Sequence, residues 1–80
     1  MEVGNIVEYI DRERILCAVV LEVKNQRLRL LTENNREVNL SASRLLHRDQ
    51  SRLDISMGRS RMVDVLKEVA NKRRALVDKV

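Results

Sequence analysis

Few side chains in this chain could do chemistry. His47 and Cys17 are the single histidine and the single cysteine among 80 residues, and the acidic residues are scattered among basic neighbours. A hydrolytic metal centre needs several Asp, Glu, His or Cys side chains converging on one ion. A nucleophilic triad needs partners that His47 does not have. The only glycines are Gly4 and Gly58, so there is no glycine-rich phosphate loop. "SMGRS" leads into a helix whose N-terminus could meet an anion, but a plain helix start is the simpler reading. Cys17 sits in the apolar run "ILCAVV" and reads as a core residue, with no second cysteine for a disulfide. No catalytic residue, metal ligand or cofactor is expected in this chain.

What remains is binding by cations. Residues 1–50 hold eight basic and eight acidic side chains, whereas 51–80 hold eight basic and four acidic ones. The whole excess of +4 therefore lies in the last third, and a polyanion would meet its stronger field there. The candidate phosphate contacts are Arg27 and Arg29 on one strand, Arg36 at a turn, and Lys72, Arg73 and Arg74 on a helix. Glu33, Glu37 and Glu68 lie near them in sequence, so a solvated charged face competes with this reading at each position. Aromatic content narrows the binding class further. Tyr9 is the only aromatic residue, which argues against a groove for proline-rich peptides and against a base-stacking platform. Phosphate contact through arginines, independent of sequence and sensitive to salt, is what the composition leaves open.

These side chains need a scaffold, and the hydrophobic pattern supplies one. "NIVEYID" reads as a strand and "DRER" as a turn. "ILCAVVLEV" is apolar for seven residues before Glu22, which suits a bent strand buried on both faces. After the "KNQ" turn, Leu28 and Leu30 alternate with Arg27 and Arg29. Beyond Asn34 and Asn35, Val38 and Leu40 alternate with Glu37 and Asn39. This is a hairpin with leucines and valine inward and arginines outward, its turn built on asparagines that tolerate left-handed backbone. "SASRLLH" is expected to form a short 3₁₀ turn and a last small strand, with Leu45 or Leu46 closing the bottom. Four to five short strands in about fifty residues indicate a small SH3-like or Sm-like β-barrel over residues 1–50.

From Ser60 the period changes. Met62, Val63, Leu66, Val69, Ala70, Leu76, Val77 and Val80 recur at helical spacing with no Gly or Pro among them. A linker and one amphipathic basic helix are expected over 51–80, with Ser60 or Ser56 as N-cap. The apolar pattern runs to the last residue as if a helical region continued, and Arg73 falls on the apolar side, where its stem could snorkel. A barrel this small has a thin stability margin, so the helix is expected to pack back on it, pair with a second copy, or begin a further domain. Met62, Leu66, Val69, Leu76 and Val80 form the candidate interface stripe.

The chain lacks a signal-peptide pattern and any long apolar run, so a soluble, cytoplasmic chain with no membrane contact is expected.

Three stretches, "GNIVEYID", "CAVVLEVKNQRLRLLTENNREVNLSASRLLH" and "LDISMGR", resemble the N-terminal region of certain bacterial members of the ribonuclease II family. These enzymes degrade RNA from its 3′ end. The likeness covers most of the chain, and "RLRLLTENNREVNLS" is its most specific part. It implies an SH3-like barrel followed by helices at the front of a longer exoribonuclease. Hydrolysis in that family uses an acidic cluster holding Mg²⁺ in a separate catalytic domain, so Mg²⁺ is implied for a parent enzyme and no catalytic residue carries over to this chain.

The expected role is accordingly an accessory domain that helps position RNA or braces the catalytic domain, with RNA and the rest of the parent enzyme as partners. A protein-docking module using the helix stripe, with dimerisation through the helix, is the alternative. A stand-alone Sm-like RNA-binding protein is a third.

Overall fold

The computed structural model describes the backbone of residues 1–78 and the side chains of 1–46 and 51–75. Five strands precede a C-terminal helix: β1 (Asn5–Asp11), β2 (Arg14–Lys24), β3 (Arg27–Thr32), β4 (Glu37–Ser41) and β5 (Leu45–Arg52), then α1 (Arg59–Asp78). Short 3₁₀ turns at Ala42–Arg44 and Ile55–Met57 join β4 to β5 and β5 to α1. The strands form one antiparallel sheet in the order β4-β3-β2-β1-β5.

The mainly-β architecture with one helix agrees with the sequence reading. The sheet stays open, however. β4 and β5 are its two edges, and β5 pairs with β1 instead of meeting β4 to close a ring of hydrogen bonds.

β2 is the hub because its 11 residues serve two partners. It pairs with β1 from Arg14 to Val19 and with β3 from Ala18 to Lys24. Its register with β3 shifts between Val20 and Glu22, an irregularity of the kind that bends a strand and strengthens its twist. Both faces of β2 are buried, as the unbroken apolar run requires. Leu16, Ala18 and Val20 join Val7, Tyr9, Leu28 and Leu30 in one cluster, with Met1, Val38, Leu40, Ala42 and Leu45 packed around it. Cys17 and Val19 join Ile6 and Leu31 in the other, beneath Met62, Val63, Leu66 and Ala70 of the helix.

The two-residue turn between β1 and β2 puts Arg12 and Glu13 at positive φ, 50° and 69°. That is the hairpin turn matched to strand twist, made here without glycine. Asn25 and Asn35 supply left-handed residues for the next two turns, at φ 58° and 62°. Gly4 is at φ +94°, and a Cβ there would lie 2.6 Å from the Leu53 carbonyl oxygen. Its backbone joins both sides of the entry to β1, donating to Val20 O at 2.7 Å and accepting from Leu53 N–H at 2.8 Å.

Three local expectations change. β5 continues to Arg52, so residues 51 and 52 extend the sheet where the sequence suggested the start of a linker. Neither serine caps α1: the Gly58 carbonyl takes the first helical bond, from Met62 N–H at 3.1 Å. Ser60 is inside the helix, while Ser56 donates to Asp54, the N-cap of the preceding 3₁₀ turn. The third concerns the stripe. Met62 and Leu66 are buried against the sheet and Val69 packs at their border, so this part of it is covered within the chain. The Leu76 side chain and Val80 lie outside the described residues.

Candidate nucleic-acid interface

The helix brings two of its arginines down onto the sheet. Arg74 donates from Nη2 to Glu33 Oε1 at 2.8 Å, and Arg73 pairs with Glu8. Both carboxylates are buried. Glu8 stands on β1 and Glu33 just past β3, so the two pairs straddle β2. Burying a carboxylate without a partner is costly, and a guanidinium supplies both charge and directed N–H donors. Arg73 and Arg74 therefore tie the helix to the sheet, and their guanidiniums already hold anions of the protein itself.

The pairs also line a cleft of about 450 Å³ that includes Glu13, Arg14, Ile15, Cys17 and Ala70. Among the described residues, no group of three or more His, Cys, Asp or Glu side chains is placed to hold a metal ion.

Lys72 is exposed on the helix. The Glu68–Lys72 pair, expected from its helical spacing, is not formed among the described residues. The strand arginines differ from the helical ones. Arg27 and Arg29 alternate with the buried Leu28 and Leu30, so they stand on the sheet face that the helix covers further along at Leu31.

Arg29 belongs to a surface network. It reaches Glu22 at 3.5 Å and Glu37 at 2.7 Å, and Glu37 is shared with Arg59 at 3.0 Å. Arg59 also donates to the Asn35 side chain at 2.6 Å and to its backbone carbonyl at 2.9 Å, tying the start of the helix to the β3–β4 turn. Arg27 and Arg36 are exposed and carry no ion pair among the described residues.

The six expected phosphate contacts are thus not one patch. Arg27 begins β3 and Arg36 follows its end, about 17 Å away along the strand direction at ~3.4 Å per residue. Lys72 is on a separate element. Glu33, read from the sequence as part of a solvated charged face, is instead a buried anchor. Residues that the sequence reading passed over matter as much: Glu8 as the other anchor, Arg59 as a clamp, and Lys24, which faces Arg27 across the β2–β3 turn. The one sequence signal for the anchors was Glu8, an acid placed within an otherwise apolar strand.

No protein-family model matches the chain, and no curated protein matches it. Among the described residues, no helix is long and apolar enough to cross a membrane.

Proposed function

We propose that this chain is a non-catalytic accessory module of a ribonuclease II-type 3′→5′ exoribonuclease, and that it meets the RNA backbone with its sheet and not with its helix. The observation that carries the second half is the fate of the two arginine groups. Among the described residues, Arg73 and Arg74 of the three helical candidates are engaged by buried carboxylates and only Lys72 lacks an ion pair, while on the sheet side both Arg27 and Arg36 face solvent without a counter-ion. Free surface cations are what a sequence-independent phosphate contact uses. The first half rests on the likeness of "RLRLLTENNREVNLS" to that family; the order it implies, a small β-unit followed by a helix, is present, with an open sheet in place of a closed barrel.

Fluorescence anisotropy of a labelled single-stranded RNA tests the reading. Binding that weakens in an Arg27→Ala/Arg36→Ala chain and persists in Lys72→Ala supports it. Binding lost with Lys72→Ala and kept without the sheet arginines overturns it.

A second reading, bracing the rest of the parent enzyme, draws on an exposed apolar pair. Ile10 and Ile15 face each other across β1 and β2 while 45% and 53% exposed. A chain that binds no RNA at low salt would favour this role.

A further inference from the structure

The two hairpins that flank β2 end in opposite ways. At the β1–β2 turn, Asp11 stands in register with Arg14, an acid opposite a base. At the β2–β3 turn, Lys24 stands in register with Arg27, two cations side by side. Directly opposed side chains are about 5 Å apart at Cβ, and like charges there repel. The repulsion is built in tightly, because only Asn25 and Gln26 separate the strands, with Asn25 at φ 58°.

The surroundings add donors. Arg29, two residues along on the same face, is steered by Glu22 and Glu37. Asn39 of β4 stands in register with Arg29. Lys24, Asn25, Arg27, Arg29 and Asn39 line one cleft of about 360 Å³ together with Glu22 and Leu28. Lys24 and Arg27 have no counter-ion among the described residues.

We propose that this cleft is a phosphate-backbone site for single-stranded RNA, an inference that rests on the RNA reading above. Lys24 and Arg27 clasp one phosphate between them, which relieves their mutual repulsion. Arg29 stands one strand repeat further, about 6.8 Å, where Glu22 and Glu37 hold its guanidinium, so it forms the wall of the site and the phosphate is left to Lys24 and Arg27. The carboxamides of Asn25 and Asn39 can donate to or accept from ribose hydroxyls. None of the residues lining the cleft carries a ring to stack on a base, and Tyr9, the sole Phe, Tyr or Trp residue, is buried in the sheet. The site therefore reads backbone, and its affinity is indifferent to base identity.

Amide and side-chain NMR shifts of the full chain, titrated at low salt with six-nucleotide oligouridylate and oligoadenylate RNAs and with polyglutamate, test the site. The expected result is that both RNAs shift Lys24, Asn25, Arg27, Arg29 and Asn39 to similar extents and polyglutamate shifts them far less. In Arg27→Glu, RNA affinity drops about tenfold or more while the thermal midpoint holds or rises, because an opposite-charge pair replaces a like-charge one. That stability readout separates loss of the site from loss of the fold. Shifts confined to Arg36, Lys72 or the β1–β2 turn, or unchanged affinity in Arg27→Glu, overturn the site and leave the RNA reading standing. Equal response to polyglutamate overturns the RNA assignment of the cleft. No shift with either RNA overturns both the site and the reading.

Discussion

Glu33 and Arg74 meet at 2.8 Å, with the carboxylate almost wholly buried and the guanidinium half exposed. The other oxygen of Glu33 accepts from the Cys17 backbone N–H at 2.8 Å, while Glu33 N–H donates to the Cys17 carbonyl at 2.9 Å. Thr32 is the last β3 residue in register with β2, so Glu33 continues the ladder partly with its side chain. The Arg74 guanidinium then neutralises the charge that this leaves under the helix.

Arg74→Ala should therefore destabilise the chain although Arg74 is itself half exposed. Removing one partner of a fully buried pair costs about 3–5 kcal/mol; solvent screening at Arg74 and the retained bond to Cys17 reduce this to about 1–2 kcal/mol. Lys72→Ala, two residues earlier on the helix, should change stability by less than about 0.5 kcal/mol. Urea unfolding of the two variants measures the contrast. Equal midpoints would mean that the Glu33–Arg74 pair contributes no stability.

Gly4→Ala should cost more than its size suggests. The φ of +94° is strained for a residue with a Cβ, and the added carbon would collide with the Leu53 carbonyl oxygen, a backbone atom that cannot rotate away. A loss of about 2 kcal/mol or more is expected from strain and disrupted backbone bonds together. Gly58→Ala is the control. Its φ is similar, yet a Cβ at that position would meet nothing within 4 Å, so only the conformational part of the penalty applies.

Much of this architecture is legible in the residues. The alternation through Leu28, Leu30, Val38 and Leu40 marks the β3–β4 hairpin, and the apolar run around Cys17 marks a strand covered on both faces. The helix follows from the spacing of Met62, Val63, Leu66 and Ala70. The ion pairs are not legible in the same way, because Glu8 and Arg73 are brought together only by the packing of helix on sheet. Arg73 stands on the apolar side of the helix in sequence, but whether its head meets solvent, a partner or a buried acid depends on where the helix lands. The helix start is obscured for a different reason: Ser56 and Ser60 resemble caps by residue type, whereas Asp54 takes Ser56 into its own 3₁₀ turn and leaves the first helical bond to the Gly58 carbonyl.

Acid stability should carry a signature of that turn. Asp54 accepts from Ser56 Oγ at 2.7 Å and from Ser56 N–H at 3.0 Å. These bonds, the hydroxyl one first, hold its carboxyl below the ordinary 3.8. Because the folded value is the lower one, the stabilisation is fully present above 3.8 and is lost as pH falls through the folded value. Asp54→Asn should flatten the pH dependence of the unfolding midpoint below 3.8 and leave its shape near neutrality unchanged. An identical acid limb in the two chains would contradict this.

The central claim, that RNA meets the sheet and not the helix, is tested most directly by the salt dependence of binding. Log affinity for a labelled single-stranded RNA would be plotted against log salt between about 50 and 200 mM, for the unaltered chain, Arg27→Ala and Lys72→Ala. Losing one phosphate contact should make the slope shallower by about one. The predicted result is that reduction for Arg27→Ala and an unchanged slope for Lys72→Ala. A reduced slope for Lys72→Ala with Arg27→Ala unchanged would contradict the claim and place the contact on the helix.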